Sequence, residues 1–180
     1  MQGSRPLTDQ EIELVLANLK SLRDRTMCLI GIRCGFRISE ILSLRIENVT
    51  QFGKVANQIT VNRANMKGKQ SSRTVPLHPQ AKKVIEEYLQ QMKLYDLKTR
   101  LFPMTRQHAH RLLKEATNKA QLSGKVSTHS LRKTFADRVH TALGENIFKT
   151  QQAMGHRSVA STAHYLSFKE DEITKAILGV

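Results

Sequence analysis

Apolar and polar positions alternate with two different periods along this chain. The stretch Thr8-Asp9-Gln10-Glu11 carries the hydroxyl and the acid that can cap a helix reciprocally, and Ile12, Leu14, Val15 and Leu19 behind it lie largely on one side. A second helix is expected over about Leu22 to Cys34, stopped by Gly35, and a short third one after Arg37 with Ile38, Ile41, Leu42 and Leu44 turned inward. The period then changes to two. Gln58-Ile59-Thr60-Val61-Asn62 and Arg73-Thr74-Val75-Pro76-Leu77 alternate and are rich in β-branched residues, so they read as strands. The Asn65 to Ser72 segment between them reads as a hairpin loop, and Val49 to Val55 offers a third strand.

After Pro79 the helical period returns and persists. Helices are expected over about Gln80 to Lys93, Thr105 to Gln121, His129 to Leu143, Ile147 to Met154, Ser158 to Leu166 and Glu170 to Leu178. The fold class is therefore mainly α with a small antiparallel β-sheet (α+β). A chain of 180 residues can bury one proper core. The expected organisation is a single domain: residues 1–6 a leader, 7–167 the core and 168–180 a C-terminal tail helix.

Charge narrows the partner. There are 29 Lys and Arg against 15 Asp and Glu, a net charge of +14. That excess favours a polyanion, most often nucleic acid, and its spread over the whole chain points to a folded basic face rather than a basic tail. Cys28 and Cys34 stand six apart, which fits neither a zinc ligand pattern nor a redox pair, so they read as buried free thiols in a reducing cytosol. No apolar run is long enough for a transmembrane span and none reads as a signal peptide, so no membrane partner is expected.

Three segments carry candidate chemistry. In Thr128-His129-Ser130-Leu131-Arg132-Lys133-Thr134-Phe135-Ala136, an N-cap at Thr128 would set His129 and Arg132 one turn apart at a helix start, where free N–H groups and the dipole also favour an anion. Alone, such a pair is more often solvated surface than a site. In Gly155-His156-Arg157-Ser158-Val159-Ala160-Ser161-Thr162-Ala163-His164-Tyr165, Gly155 ends one helix, Ser158 caps the next, and Tyr165 lies two turns along it, where half-buried packing is the ordinary role of a tyrosine. In Cys34-Gly35-Phe36-Arg37-Ile38-Ser39-Glu40-Ile41-Leu42, the apolar neighbours of Arg37 imply partial burial and an anionic partner. Glu40 is either that partner alone or the group that aims Arg37 at a phosphate.

Together these segments resemble the catalytic domain of the tyrosine recombinase (integrase) family, from about Leu7 to Ser167. The Gly-x-Arg-x-x-Glu-Leu-like box is met by Gly35 to Ile41, the His-x-Leu-Arg-x-x-Phe-Ala box by His129 to Ala136, and the Gly-His-x-Ser-x-x-x-Thr-x-x-Tyr box by Gly155 to Tyr165. The residue after the second arginine, often His in the family, is Lys133 here. The four-helix DNA-clamping domain that usually precedes the catalytic one has no counterpart. Either the chain is a trimmed part of a longer protein, or it resembles short members such as fimbrial phase-switch invertases.

The resemblance implies a site-specific recombinase of tyrosine recombinase catalytic-domain fold, acting on double-stranded DNA with specific recombination sites through a 3′-phosphotyrosyl intermediate. The implied catalytic residues are Arg37, Lys67, His129, Arg132, His156 and Tyr165, with Glu40 behind Arg37 and Lys69 as the alternative to Lys67. No cofactor and no metal is implied, because cationic side chains take the metal's place. A homotetramer on synapsed DNA is implied too, with the tail packed on a neighbouring protomer or on its own domain. So is a cytoplasmic location on a prokaryotic nucleoid. Rival readings are DNA relaxation as in type IB topoisomerases, a catalytically silent DNA-binding protein on the same fold, and a metal-dependent nuclease.

Overall fold

The structure, a computed structural model, describes residues 3–65, 72–92, 95–166 and 177–179. The chain divides into two compact units, Met1–Phe135 and Ala136–Val180.

The first unit opens with α1 (Asp9–Asn18), closed by the expected reciprocal cap: Thr8 Oγ1 accepts from the Glu11 N–H at 3.2 Å, and Glu11 Oε2 accepts from the Thr8 N–H at 3.0 Å. α2 (Leu22–Cys34) starts on the Ser21 hydroxyl and ends on Gly35, whose φ of 64° is left-handed. Only glycine fits there: a Cβ on Gly35 would lie 2.1 Å from the Phe135 ring. α3 (Ile38–Ser43) follows, with Ile38, Ile41 and Leu42 buried.

Two small sheets come next. β1 (Thr50–Gln51) pairs with β2 (Lys54–Val55), and β3 (Gln58–Val61) pairs antiparallel with β4 (Arg73–Pro76) in the register Ile59↔Val75 and Thr60↔Thr74. The Val49 to Val55 segment is thus not a third strand of the main hairpin but a hairpin of its own. Phe52 and Gly53 both take positive φ, 50° and 73°, which closes a two-residue reversal and folds the segment back on itself.

The remaining helices of this unit are α4 (Pro79–Met92), α5 (Arg106–Lys119) and residues 128–135 of α6 (Thr128–Ala142). α2 packs on α4, while α1 and α3 both pack on α5. Met27, Ile30, Ile41, Ile59, Ile85 and Phe102 lie in one continuous buried cluster, each contributing about 1.5–3 kcal/mol by leaving water. Tyr88 stacks on Phe102 at 6.1 Å, and its hydroxyl is satisfied by the Leu101 carbonyl at 3.1 Å. Leu131 of α6 lies over Gly31 of α2, where an added Cβ would come within 3.0 Å. Cys28 and Cys34 are free and buried, and removal from water pushes their thiols up to about 12 and about 11.

The second unit contains the rest of α6, α7 (Ile147–Met154) and α8 (Val159–Ala163). His140 on α6 and Thr150 on α7 share a hydrogen bond of 3.0 Å, and α7 packs on α8. α8 ends earlier than its sequence period implies, so Tyr165 is in a turn after the helix rather than on it. The Tyr165 N–H turns back to the Thr162 carbonyl at 2.8 Å, and the Leu166 N–H to that of Ala163 at 3.1 Å, tightening the chain out of α-helical geometry. Of the expected tail helix only Ile177 and its two successors are described, and the loop bearing Lys67 and Lys69 lies outside the described residues. Among the described residues, no helix is long and apolar enough to cross a membrane.

Candidate active site

In the first unit the site is built around the end of α2. Arg37 is the N-cap residue of α3, and Glu40, fully buried, takes hold of it twice: one carboxylate oxygen accepts from the Arg37 backbone N–H and the other from its guanidinium, both at 2.8 Å. The carboxylate therefore fixes the start of α3 and the direction of the Arg37 side chain together. A quarter of that side chain (24%) stays accessible, enough to meet an anion from solvent.

Arg132 is 1% exposed. One of its guanidinium nitrogens donates to the Gly35 carbonyl, the residue that caps α2 and precedes Phe36-Arg37. The α6 start that carries Arg132 is capped by Ser127 and not by Thr128: the Ser127 hydroxyl accepts from the His129 N–H at 3.2 Å, and the Ser130 hydroxyl accepts from the Ser127 N–H at 3.1 Å. Thr128 is then the first helical residue. His129, one turn before Arg132, is exposed. Even so, loss of hydration first, then the positive charges of Arg106, Arg132, Arg37 and Lys133, hold its pKa below the ordinary imidazole value, which favours a neutral ring.

A further arginine belongs to this cluster and was not singled out from sequence. Arg73 opens β4 and is 8% exposed. Its guanidinium donates to the carbonyls of Gly35 (3.3 Å) and Cys34 (3.4 Å) and lies over the Phe36 ring at 5.1 Å. Burial, offset in part by the Glu40 carboxylate and reinforced by the Arg37 cation, brings its pKa down to about 10. A signal was present: in Arg73-Thr74-Val75-Pro76-Leu77 the inward phase that takes Val75 and Leu77 also takes Arg73.

In the second unit His156 follows Gly155, the left-handed C-cap of α7 at φ 62°. It is buried, and its Nδ1 shares a 3.0 Å hydrogen bond with the hydroxyl of Thr162, itself fully buried on α8. The partly buried Tyr165 ring lies 5.1 Å from the His156 ring, tilted by 39°. A histidine fixed by a threonine thus stands beside a phenol held in a tight turn. Among the described residues, no three His, Cys, Asp or Glu side chains gather in a way that would hold a metal ion.

The sequence matches the phage integrase family over residues 5–172. It is similar to the tyrosine recombinase XerD of Corynebacterium glutamicum, 28% identical over 173 residues, covering 91% of this chain and 54% of that protein. It is also similar to the probable integrase/recombinase YoeC of Bacillus subtilis, 30% identical over 167 residues, covering 90% of this chain and 86% of that one. In fold it is similar to the XerH site-specific recombinase in its post-cleavage complex with a palindromic difH substrate, with a TM-score of 0.76, 24% identity, and coverage of 98% of this chain and 53% of that one. The chain spans about half the length of the XerD relative and of the XerH chain.

Proposed function

Because this chain belongs to the phage integrase family, we propose that it is a site-specific DNA recombinase that cuts and rejoins strands through Tyr165. A phosphodiester resists attack because it is already anionic and its leaving alkoxide is poor. Arg37 and Arg132 bind the non-bridging oxygens and stabilise the extra charge of the five-coordinate transition state. The Tyr165 oxygen attacks phosphorus as its proton leaves, with His129 assisting that transfer. The bond from phosphorus to the 5′-oxygen breaks, and Lys67, or Lys69 in its place, delivers a proton to that oxygen. The products are a 3′-phosphotyrosyl bond and a free 5′-hydroxyl. His156 donates a hydrogen bond to the phosphate. Attack by the 5′-hydroxyl of another strand reverses each step, so rejoining needs no external energy source.

The observation that carries this reading is the pairing of His156 with Tyr165, in a chain that also presents Arg37 on a buried carboxylate. We further propose double-stranded DNA with specific recombination sites as substrate and a homotetramer on two synapsed sites as the working assembly. The proposed setting is a prokaryotic cytoplasm, on the nucleoid.

The test is a nicked suicide substrate, from which the short fragment bearing the free 5′-hydroxyl diffuses away, so that the covalent protein–DNA adduct is trapped. Adduct formation in EDTA, abolished by Tyr165→Phe, is the expected result. An adduct that survives Tyr165→Phe, or that requires a divalent metal, would overturn it.

A further inference from the structure

We propose that Arg73 is a positioning residue for the phosphate clamp, holding the backbone at Cys34 and Gly35 so that Arg132 and Arg37 converge on one phosphate. The inference rests on the function proposed above and adds a residue to it.

The Gly35 carbonyl is the common point. It accepts from Arg73 on β4 at 3.3 Å and also from Arg132 on α6. Two elements distant in sequence are therefore tied to one oxygen, in a residue two positions before Arg37. The second arm of the Arg73 fork reaches the Cys34 carbonyl at 3.4 Å, so the left-handed turn that ends α2 is held at both of its peptide groups. Phe36, 1% exposed, packs against the guanidinium face and fixes its plane. A cationic fork is an expensive way to secure two carbonyls in a core where an apolar side chain would pack. Its placement explains the expense. Arg73, Arg132 and Arg37 surround three consecutive residues, and their mutual repulsion is relieved when an anion arrives. Glu40 offsets part of it beforehand from beneath Arg37.

A fork and a point charge make different predictions, as do a clamp and a general staple of the fold. Arg73→Met keeps volume and removes a buried charge, so thermal unfolding should stay near that of the unaltered protein. Arg73→Lys keeps the charge but cannot bridge two carbonyls in one plane. Single-turnover adduct formation by the full chain would be measured on two suicide substrates. One has an ordinary scissile phosphate, the other a methylphosphonate, which lacks one anionic oxygen and asks less of the clamp. On the ordinary phosphate both variants should slow by about 100-fold, the scale of a misplaced catalytic group, with DNA binding little changed. On the methylphosphonate the deficit should shrink to about 5-fold or less, since less charge needs stabilising.

Equal loss on both substrates, or full rescue by lysine, would overturn the role. So would an unchanged rate on the ordinary phosphate. If Arg73→Met does not fold, the comparison of the two substrates with Arg73→Lys alone decides it. Absence of any adduct from the unaltered protein removes the underlying reading along with this role, whereas a normal adduct indifferent to Arg73 removes the role only.

Discussion

Glu40 grips Arg37 at both ends of the same residue, taking its backbone N–H and its guanidinium on separate oxygens at 2.8 Å each. The carboxylate is fully buried while the arginine is not. Their ion pair therefore has one dry end and one wet end, and the wet end is the part able to change partners. Glutamine at position 40 keeps the shape but offers one acceptor where two are used, and it leaves the buried Arg73 without its favourable neighbour.

Glu40→Gln is accordingly expected to destabilise the fold by about 2 kcal/mol, the scale of hydrogen bonds to charged groups. It should slow adduct formation more than it weakens DNA binding. Urea unfolding alongside single-turnover cleavage would test this; a variant with normal stability and normal cleavage would show that the carboxylate neither holds nor aims Arg37.

The turn at Gly35 yields a second prediction. Gly35→Ala places a Cβ 2.1 Å from the Phe135 ring and forces a side chain onto φ 64°. Strained backbone and overpacking together should cost about 2–4 kcal/mol. Phe135→Leu should recover the packing part and leave the backbone part, so a double-mutant cycle would give a favourable coupling between the two positions. Additive losses would mean that Phe135 is not what excludes a side chain there.

Much of this arrangement was legible in the sequence because it is local. Thr8 to Glu11, Gly35 and Ser158 are cap signals acting over three or four residues, and they mark helix ends where the structure has them. The Arg37–Glu40 pair is one helical turn and is equally readable. The family resemblance named the residues from Arg37 to Tyr165 by order and spacing. What escaped depends on groups far apart in the chain or on turn geometry. The carbonyl partners of Arg73 lie 38 and 39 residues away, and no periodicity reports a backbone acceptor at that distance. The turn holding Tyr165 and the closed reversal at Phe52-Gly53 are local, but each was outvoted by a run of residues that suit a longer element. The cap of α6 was displaced by one residue because Ser127, Thr128 and Ser130 are all capable of capping.

His129 should titrate below the ordinary histidine value of about 6.5 in the free protein, because partial loss of hydration and four nearby cations disfavour its protonated form. The sign follows directly. Removing a positive neighbour makes protonation easier, so Arg106→Gln should move the His129 titration upward without touching Arg132 or Arg37. NMR titration of the imidazole protons measures both values. A downward shift in Arg106→Gln would show that the surrounding charge is not what controls this ring.

His156 and Thr162 give the last prediction. Their 3.0 Å hydrogen bond engages Nδ1 and sets the ring orientation. Thr162→Val keeps the shape of a fully buried side chain and deletes the hydroxyl, so the ring loses its anchor beside Tyr165. Adduct formation should fall by about 10-fold, equivalent to ~1.4 kcal/mol and within the range of one lost hydrogen bond. Thr162→Ser, which restores the hydroxyl and removes only a methyl group, should recover most of the rate even if it is the less stable of the two proteins. That inversion separates positioning from packing: if Thr162→Val cleaves as fast as the unaltered protein while Thr162→Ser is slow, the methyl group matters and the hydrogen bond to His156 does not.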